Sequence, residues 1–443
     1  MNRNKGNDLV SRSALLTHDK LNDNIMAVAL VPPKKDYFLD EIKHVLVLAT
    51  SMKVHLVCVC LKPPPAEPIS FYVTDIEVAT NGITMSCITA TSLGRIFMAG
   101  SDGHLYEVDY HQSSSWLGGF LGSSTSCSLK NHTGGGWSSS VTPWLSNAAS
   151  DPIVSISIDS SRNYLYTSTD KGALELYTLG ANGLAPPVRQ ARLIDLCSAA
   201  MYLSPSNPLL ESRSFNIVSI HALTKEESMK YGVLAVTGTG VRLYFQYSRN
   251  PPTSFDPNYP VYFHLHLAHV RNPPSTQTQP LSRPPNTGFY NQAQINAPPT
   301  QQNNTGRINM PDGPVNSAFY ASKGLFIAAH TVSEDADVLA FTAPDVGLIG
   351  NAALSNQQTR LAEVAGAIAI EGNARALAEV GARAGPGGLN DVATQVTSAN
   401  RAFLIVTTRS LNIFARNRPI DTLALLLENP RENEHDLVAF WQK

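Results

Sequence analysis

The stretch from Asp151 to Gly183, DPIVSISIDSSRNYLYTSTDKGALELYTLGANG, narrows the possible folds of this chain most. Val154, Ile156 and Ile158 alternate with Ser155 and Ser157, the period of a strand with one buried face. Asp159 to Asn163 supplies turn residues, and Tyr164 to Ser168 is a second run of β-formers. Asp170-Lys171-Gly172 marks a tight turn, after which Leu174 and Leu176 alternate with Glu175. Three antiparallel strands in such a compact space form a meander, the inner part of a propeller blade.

The same shape recurs along the chain. In GRIFMAGSDGHLYEV, from Gly94 to Val108, a β run leads into Asp102-Gly103, with Leu105 two residues later. Further copies centre on Val45, Leu234, Phe326 and Leu404. Six hairpins at intervals of roughly 50 to 90 residues suit four-stranded blades joined by long insertions. The predicted fold class is therefore an all-β propeller. Residues 1–20 read as a disordered N-terminus and 21–418 as the propeller. Its insertions are 111–150, 271–316 and 347–400, and the start of a helical region occupies 419–443. Pro419 suits a first helical turn, and Leu423, Leu426 and Leu427 form an apolar stripe beyond it. Within the third insertion, Leu361, Val364, Ala365, Ile368, Leu377 and Val380 recur at helical spacing, predicting a surface helix that ends at Gly385-Pro386-Gly387-Gly388. The second insertion is rich in Pro, Gln, Asn and Thr and reads as a disordered loop.

Composition excludes several function classes. A net charge of −2 with no Lys/Arg cluster lacks the footprint of a nucleic-acid binder. Five cysteines without regular spacing fit a reduced, intracellular setting better than a disulfide framework. No apolar run reaches the length of a spanning helix. Cys58 and Cys60 have no second pair to complete a zinc site and read as buried strand residues. His264, His266 and His269 have no acidic or Cys partner nearby in sequence. Asp102-Gly103 and Asp170-Lys171-Gly172 lack the further oxygens of a calcium loop. Motifs for phosphate cradles, zinc peptidases and serine hydrolases do not occur. The chain is expected to be no enzyme, with no cofactor, metal or small-molecule substrate.

The sharpest candidate site lies in the 111–150 insertion. Trp116, Leu117, Phe120 and Leu121 would share one helical face, and Trp137, Val141, Trp144 and Leu145 a second, amid Ser, Thr and Gly. With Lys130 the only formal charge between Asp109 and Asp151, membrane attachment would rest on apolar insertion into a curved bilayer. Burying four such side chains gains on the order of 6–12 kcal/mol. Ordering about ten residues costs roughly 10–20 kcal/mol before helix hydrogen bonds offset part of it. The segment is thus expected to order only on a suitable membrane. The competing reading packs these aromatics on the rim of the propeller.

The Asp151–Gly183 blade resembles one from the nucleoporin 155/157/170 family, the large inner-ring scaffold nucleoporins. LTHDKLNDNIMAVALVPPK (16–34), GRIFMAGSDGHLYEVDY (94–110), GVLAVTGTGVRLYF (232–245) and FLIVTTRSLNIFARNRPIDTLALLLEN (403–429) support it in the family's order. The resemblance implies a seven-bladed N-terminal propeller, followed in the family by a helical solenoid, acting as a non-enzymatic scaffold of the nuclear pore at the nuclear envelope. It implies other inner-ring and linker nucleoporins and transmembrane pore proteins as partners, with peripheral contact to the pore membrane. Related scaffolds use a propeller loop to sense lipid packing, which also points to the 111–150 insertion. The chain stops where the solenoid would start, so functions placed there do not carry over. The rival reading is a vesicle-coat or membrane-tethering propeller, which shares the same plan.

Overall fold

The computed structural model describes residues 23–35, 37–61, 69–113, 124–133, 151–180, 183–184, 188–190, 193–211, 213, 215–249, 263–273, 289–291, 313–321, 324–344, 363–380, 396, 399–431, 433–434 and 437–438. The chain divides into two compact units, Met1–Ser150 and Asp151–Lys443. The first holds two four-stranded antiparallel sheets. Strands β1 (Ile25–Val31), β2 (Ile42–Thr50), β3 (Lys53–Leu61) and β4 (Ile69–Ala79) form blade 1 in that order. Strands β5 (Met85–Ala90), β6 (Ile96–Gly100), β7 (Leu105–Ser113) and β8 (Ser124–Asn131) form blade 2.

The second unit holds four sheets. Blade 3 comprises β9 (Ile153–Asp159), β10 (Tyr164–Thr169), β11 (Leu174–Thr178) and β12 (Val188–Gln190), and helix α1 (Leu193–Leu203) follows it. Blade 4 comprises β13 (Ile217–Ala222), β14 (Val233–Thr237), β15 (Arg242–Arg249) and β16 (Phe263–Arg271). A three-residue strand, β17 (Phe289–Asn291), comes next in sequence. Blade 5 comprises β18 (Val315–Ala321), β19 (Leu325–Ser333), β20 (Ala336–Pro344) and β21 (Glu363–Glu371). Blade 6 is built from β22 (Ala374–Val380), β23 (Arg401–Thr407) and β24 (Leu411–Arg416), and β17 returns to complete it. A helix, Pro419–Glu428, starts three residues after β24.

Within each unit, first strands of successive sheets lie side by side: β1 by β5, and β9, β13, β18 and β22 in turn. This is the blade stacking of an all-β propeller, with six blades among the described residues rather than the seven expected. It explains why β6 (IFMAG) and β14 (VLAVT) are buried at every position. A sheet covered on both faces has no solvent side to reserve for polar residues. Val47, Leu56 and Met98 belong to the core shared by blades 1 and 2. Leu176, Ala235 and Leu243 pack between blades 3 and 4, where Leu196 and Ala200 of α1 join them. Val236 and Phe326 lie between blades 4 and 5, and Phe341 and Phe414 between blades 5 and 6.

The Asp151–Gly183 meander pairs from Tyr164↔Asp159 to Thr169↔Ile153 on one side, and from Tyr164↔Thr178 to Ser168↔Leu174 on the other. Asp159 Oδ1 accepts the Ser161 amide at 3.0 Å and so builds the first turn. Gly172 closes the second at φ +78°, a conformation that disfavours any side chain.

Three insertions differ from expectation. The predicted helix is instead β21 and β22, carrying Val364, Ala365, Ile368, Leu377 and Val380. Pairing with β20 and β23 overrides the helical spacing because alanine suits either period. Leu361 and Gly385-Pro386-Gly387-Gly388 lie outside the described residues. The 111–150 insertion contains β8, the outer strand of blade 2. The 271–316 insertion contributes β17 as well as the first residues of β18, and Arg271 ends β16.

Candidate functional site

The eight residues Trp116, Leu117, Phe120, Leu121, Trp137, Val141, Trp144 and Leu145 lie outside the described residues. The described chain shows what flanks them. Strands β7 and β8 pair from Tyr106↔Asn131 to Ser113↔Ser124, so β8 divides the stretch into a 114–123 hairpin connection and a segment beginning at 134. The two predicted apolar faces therefore leave opposite ends of one strand.

That strand is clamped from within. Phe97 of β6 stands opposite Glu107 of β7, and Arg95, two residues before Phe97, reaches the same face. Arg95 donates to Glu107 through Nε at 2.7 Å and Nη2 at 2.9 Å. His132, just past β8, places Nε2 2.7 Å from Oε2, the oxygen that also accepts from Arg95 Nη2. Arg95 also stacks 4.9 Å from the centre of the Phe97 ring. The Glu107 side chain is only 8% exposed, and burial would raise its pKa. The hydrogen bonds from Arg95 and His132 outweigh burial and bring the carboxyl down to about 2. Thr133 Oγ1 accepts the Leu105 amide at 2.9 Å and lies 3.1 Å from His104 Nδ1. The segment that starts at residue 134 thus leaves from a fixed point.

Blade 1 braces the neighbouring strand, β7. Lys34 Nζ reaches Asp109 at 3.2 Å and the Tyr110 carbonyl at 3.0 Å, and its amide donates to the Tyr110 hydroxyl at 3.1 Å. Burial pushes the Tyr110 hydroxyl up to about 12, and burial with nearby Asp109 pushes the Cys127 thiol to about 11. These groups hold structure; their chemistry is that of fixed, unreactive partners. Sequence reasoning quoted Arg95 and Glu107 without assigning them a role. The available signal was a carboxylate set between Tyr106 and Val108 in an otherwise apolar strand.

The other sequence candidates are dispersed. Cys58 and Cys60 are buried in β3, and burial raises the Cys58 thiol. On β16, His264 and His266 oppose Ser248 and Gln246, and a bulge brings His269 opposite Tyr244. Burial lowers the pKa of His269, as do Arg271, Lys230 and Arg242 nearby. Among the described residues, no three His, Cys, Asp or Glu side chains form a group that could hold a metal ion. No helix of the described residues is long and apolar enough to cross a membrane.

Residues 5–373 match the family model described as Nup133 N terminal like. A probable nucleoporin of Schizosaccharomyces pombe is 30% identical over 429 residues, covering 94% of this chain and 32% of the relative. Nucleoporin NUP170 of Chaetomium thermophilum is 27% identical over 438 residues, 94% of this chain and 29% of that protein. Nuclear pore complex protein Nup154 of Drosophila melanogaster is 31% identical over 246 residues, 55% of this chain and 18% of that protein. The chain thus spans about a third of the length of the first two relatives. Among solved structures, the complex of the Chaetomium thermophilum Nup170 N-terminal domain with Nup53 superposes with a TM-score of 0.71 at 24% identity. That match covers 93% of this chain and 55% of the other. With six four-stranded antiparallel sheets and a family match over most of its length, the chain belongs to the nucleoporins with a Nup133-like N-terminal region, in the 155/157/170 group.

Proposed function

We propose that this chain is a non-enzymatic scaffold part of the inner ring of the nuclear pore, supporting pore assembly and transport through docking surfaces on its blades. The observation that carries this reading is the family match over residues 5–373. The blade architecture agrees with it: its polar clusters tie strands together. Partners on this reading are other nucleoporins, including linker proteins of the Nup53 type, and transmembrane pore proteins. Fluorescent tagging tests the reading directly. A punctate nuclear rim is expected; cytoplasmic vesicles would favour the coat or tethering alternative and overturn it.

The loop flanking β8 is the proposed membrane contact, through Trp116, Leu117, Phe120, Leu121, Trp137, Val141, Trp144 and Leu145. Two things support it: the apolar spacing of those residues, and the clamp that fixes β8 between the two segments. Replacing Trp116 and Phe120 with Asp should abolish flotation with small liposomes while leaving the melting temperature unchanged. Undiminished flotation would remove the lipid-contact reading without touching the scaffold reading.

A further inference from the structure

The sheet of blade 1 ends on β4, and the two halves of that strand differ. The second half is committed: Ile76 and Val78 pack into the core shared with blade 2, and Glu77 holds Lys53 and His55. A bulge sets it off from the first half, with Thr74 Oγ1 donating to the Leu56 carbonyl and accepting the Ile76 amide. Ahead of the bulge, Ile69–Val73 reads ISFYV and pairs with β3 in unbroken register, from Leu61↔Ile69 to Val57↔Val73. Phe71 and Val73 are 42% and 54% exposed on one face, and Tyr72 is 47% exposed on the other. Apolar β-formers exposed on both faces at the border of a sheet invite a further strand.

Other outer strands of this chain show how such a border is blunted. Strand β8 is mostly Ser and Thr with Lys130, and β12 is three residues long with Arg189 at its centre. Strand β16 carries His264, His266, His269 and Arg271, and Glu363 and Glu371 bracket β21. Charge, shortness and bulges all discourage unwanted pairing. Ile69–Val73 has no charge, no proline and no register shift.

The surrounding chemistry selects the occupant. A lipid surface fits poorly, because open main-chain N–H and C=O groups are not tolerated in hydrocarbon. Asp75, exposed within the bulge, has no ion-pair partner among the described residues, since Lys53 and His55 nearby face Glu77. A second copy brings it no cation: β4 contains Asp75 and Glu77 but no Lys, Arg or His.

We infer that the first half of β4 is a strand-addition site for an extended segment of another protein, one with aliphatic side chains at alternate positions and a basic residue that reaches Asp75. Main-chain hydrogen bonds supply the affinity, and the alternate side chains with the basic residue supply the selectivity. The site rests on the scaffold reading only for the partner's being a nucleoporin. Binding in solution does not depend on where the protein resides, so the two readings can fail separately.

The test uses the full chain and the synthetic peptide Lys-Thr-Val-Thr-Ile-Thr-Val, whose antiparallel pairing sets Lys beside Asp75 and aliphatic residues beside Val73, Phe71 and Ile69. The wild-type chain should bind it in fluorescence anisotropy. The outward amides of Ile69–Val73 should exchange fast in the free chain and at least about tenfold more slowly with peptide. Phe71→Lys/Val73→Lys should weaken binding about tenfold without lowering the melting temperature, and so should Phe71→Thr/Val73→Thr, which keeps strand propensity. Asp75→Lys should weaken binding about fivefold and favour a peptide headed by Glu by the same factor. No binding to the wild-type chain, equal binding to the Phe71/Val73 variants, or outward amides already slow in the free chain overturns the inference. A wild-type dimer dissociated by the peptide would make a second copy the occupant and overturn the assignment to another protein.

Discussion

Blades 2 and 6 cover the same kind of edge in opposite ways. In blade 2 the outer strand β8 follows β7 through a short connection and pairs with it at eight positions. Its far end is pinned by a buried carboxylate holding both an arginine and a histidine. In blade 6 the outer strand pairs at three positions among the described residues and comes from the stretch between blades 4 and 5. Its nearest counterpart to the blade 2 clamp is Arg401 with Glu379, a bidentate pair at 2.6 and 3.0 Å on the opposite side of the sheet. An edge strand made in sequence can be locked by side chains chosen beside it. A borrowed one must find its partners far away in sequence.

The largest test of that contrast is Arg95→Ala. It leaves Glu107 buried without its main partner and should cost about 3–5 kcal/mol, read from urea unfolding. A loss below about 1 kcal/mol would mean that β8 needs no clamp. Next, proline placed in each outer strand should separate the two blades. Ser128→Pro breaks the β7–β8 ladder and should cost about 3 kcal/mol, whereas Tyr290→Pro in β17 should cost less than about 1 kcal/mol. Similar losses would erase the distinction.

Acid titration sharpens it further. The Glu107 carboxyl is held at about 2, below its ordinary value of 4.5, so its contribution is complete above about 4.5 and is lost as pH falls toward 2. The wild-type chain should therefore lose stability across that window more steeply than Arg95→Ala, and parallel curves would refute the clamp. Smallest of all, Arg401→Ala in blade 6 should cost about 1 kcal/mol, because that pair is less enclosed.

How far the sequence disclosed this architecture depended on whether each strand's signal was local. The Tyr164–Thr178 hairpin could be read directly, since alternation and a glycine turn coincide there. Strands β21 and β22 were misread because Ala, Val and Ile satisfy helical and strand spacing together. The deciding feature was the turn at Gly372, φ +76°, followed by Asn373. Strand β8 hid in STSCSLKN, where only Cys127 and Leu129 mark the inward face. Helix α1 had a readable stripe of Leu193, Leu196, Cys197 and Ala200 that was passed over between blades. Strand β17 carries no local signal, because its partner is contributed by distant residues. Of the candidate site, the sequence pointed to the apolar residues but not to the Glu107 clamp, whose parts come from three separate segments.

The out-of-order origin of β17 also sets a timetable for synthesis. A ribosome adding about 5–20 residues per second delivers Asn291 roughly 6–24 s before Leu411 emerges. Every other outer strand of the second unit meets its neighbour soon after translation, but this one must wait for two further sheets. Blade 6 is consequently the last of the six described sheets to be finished, and a chaperone guarding exposed strand edges would have its longest task there.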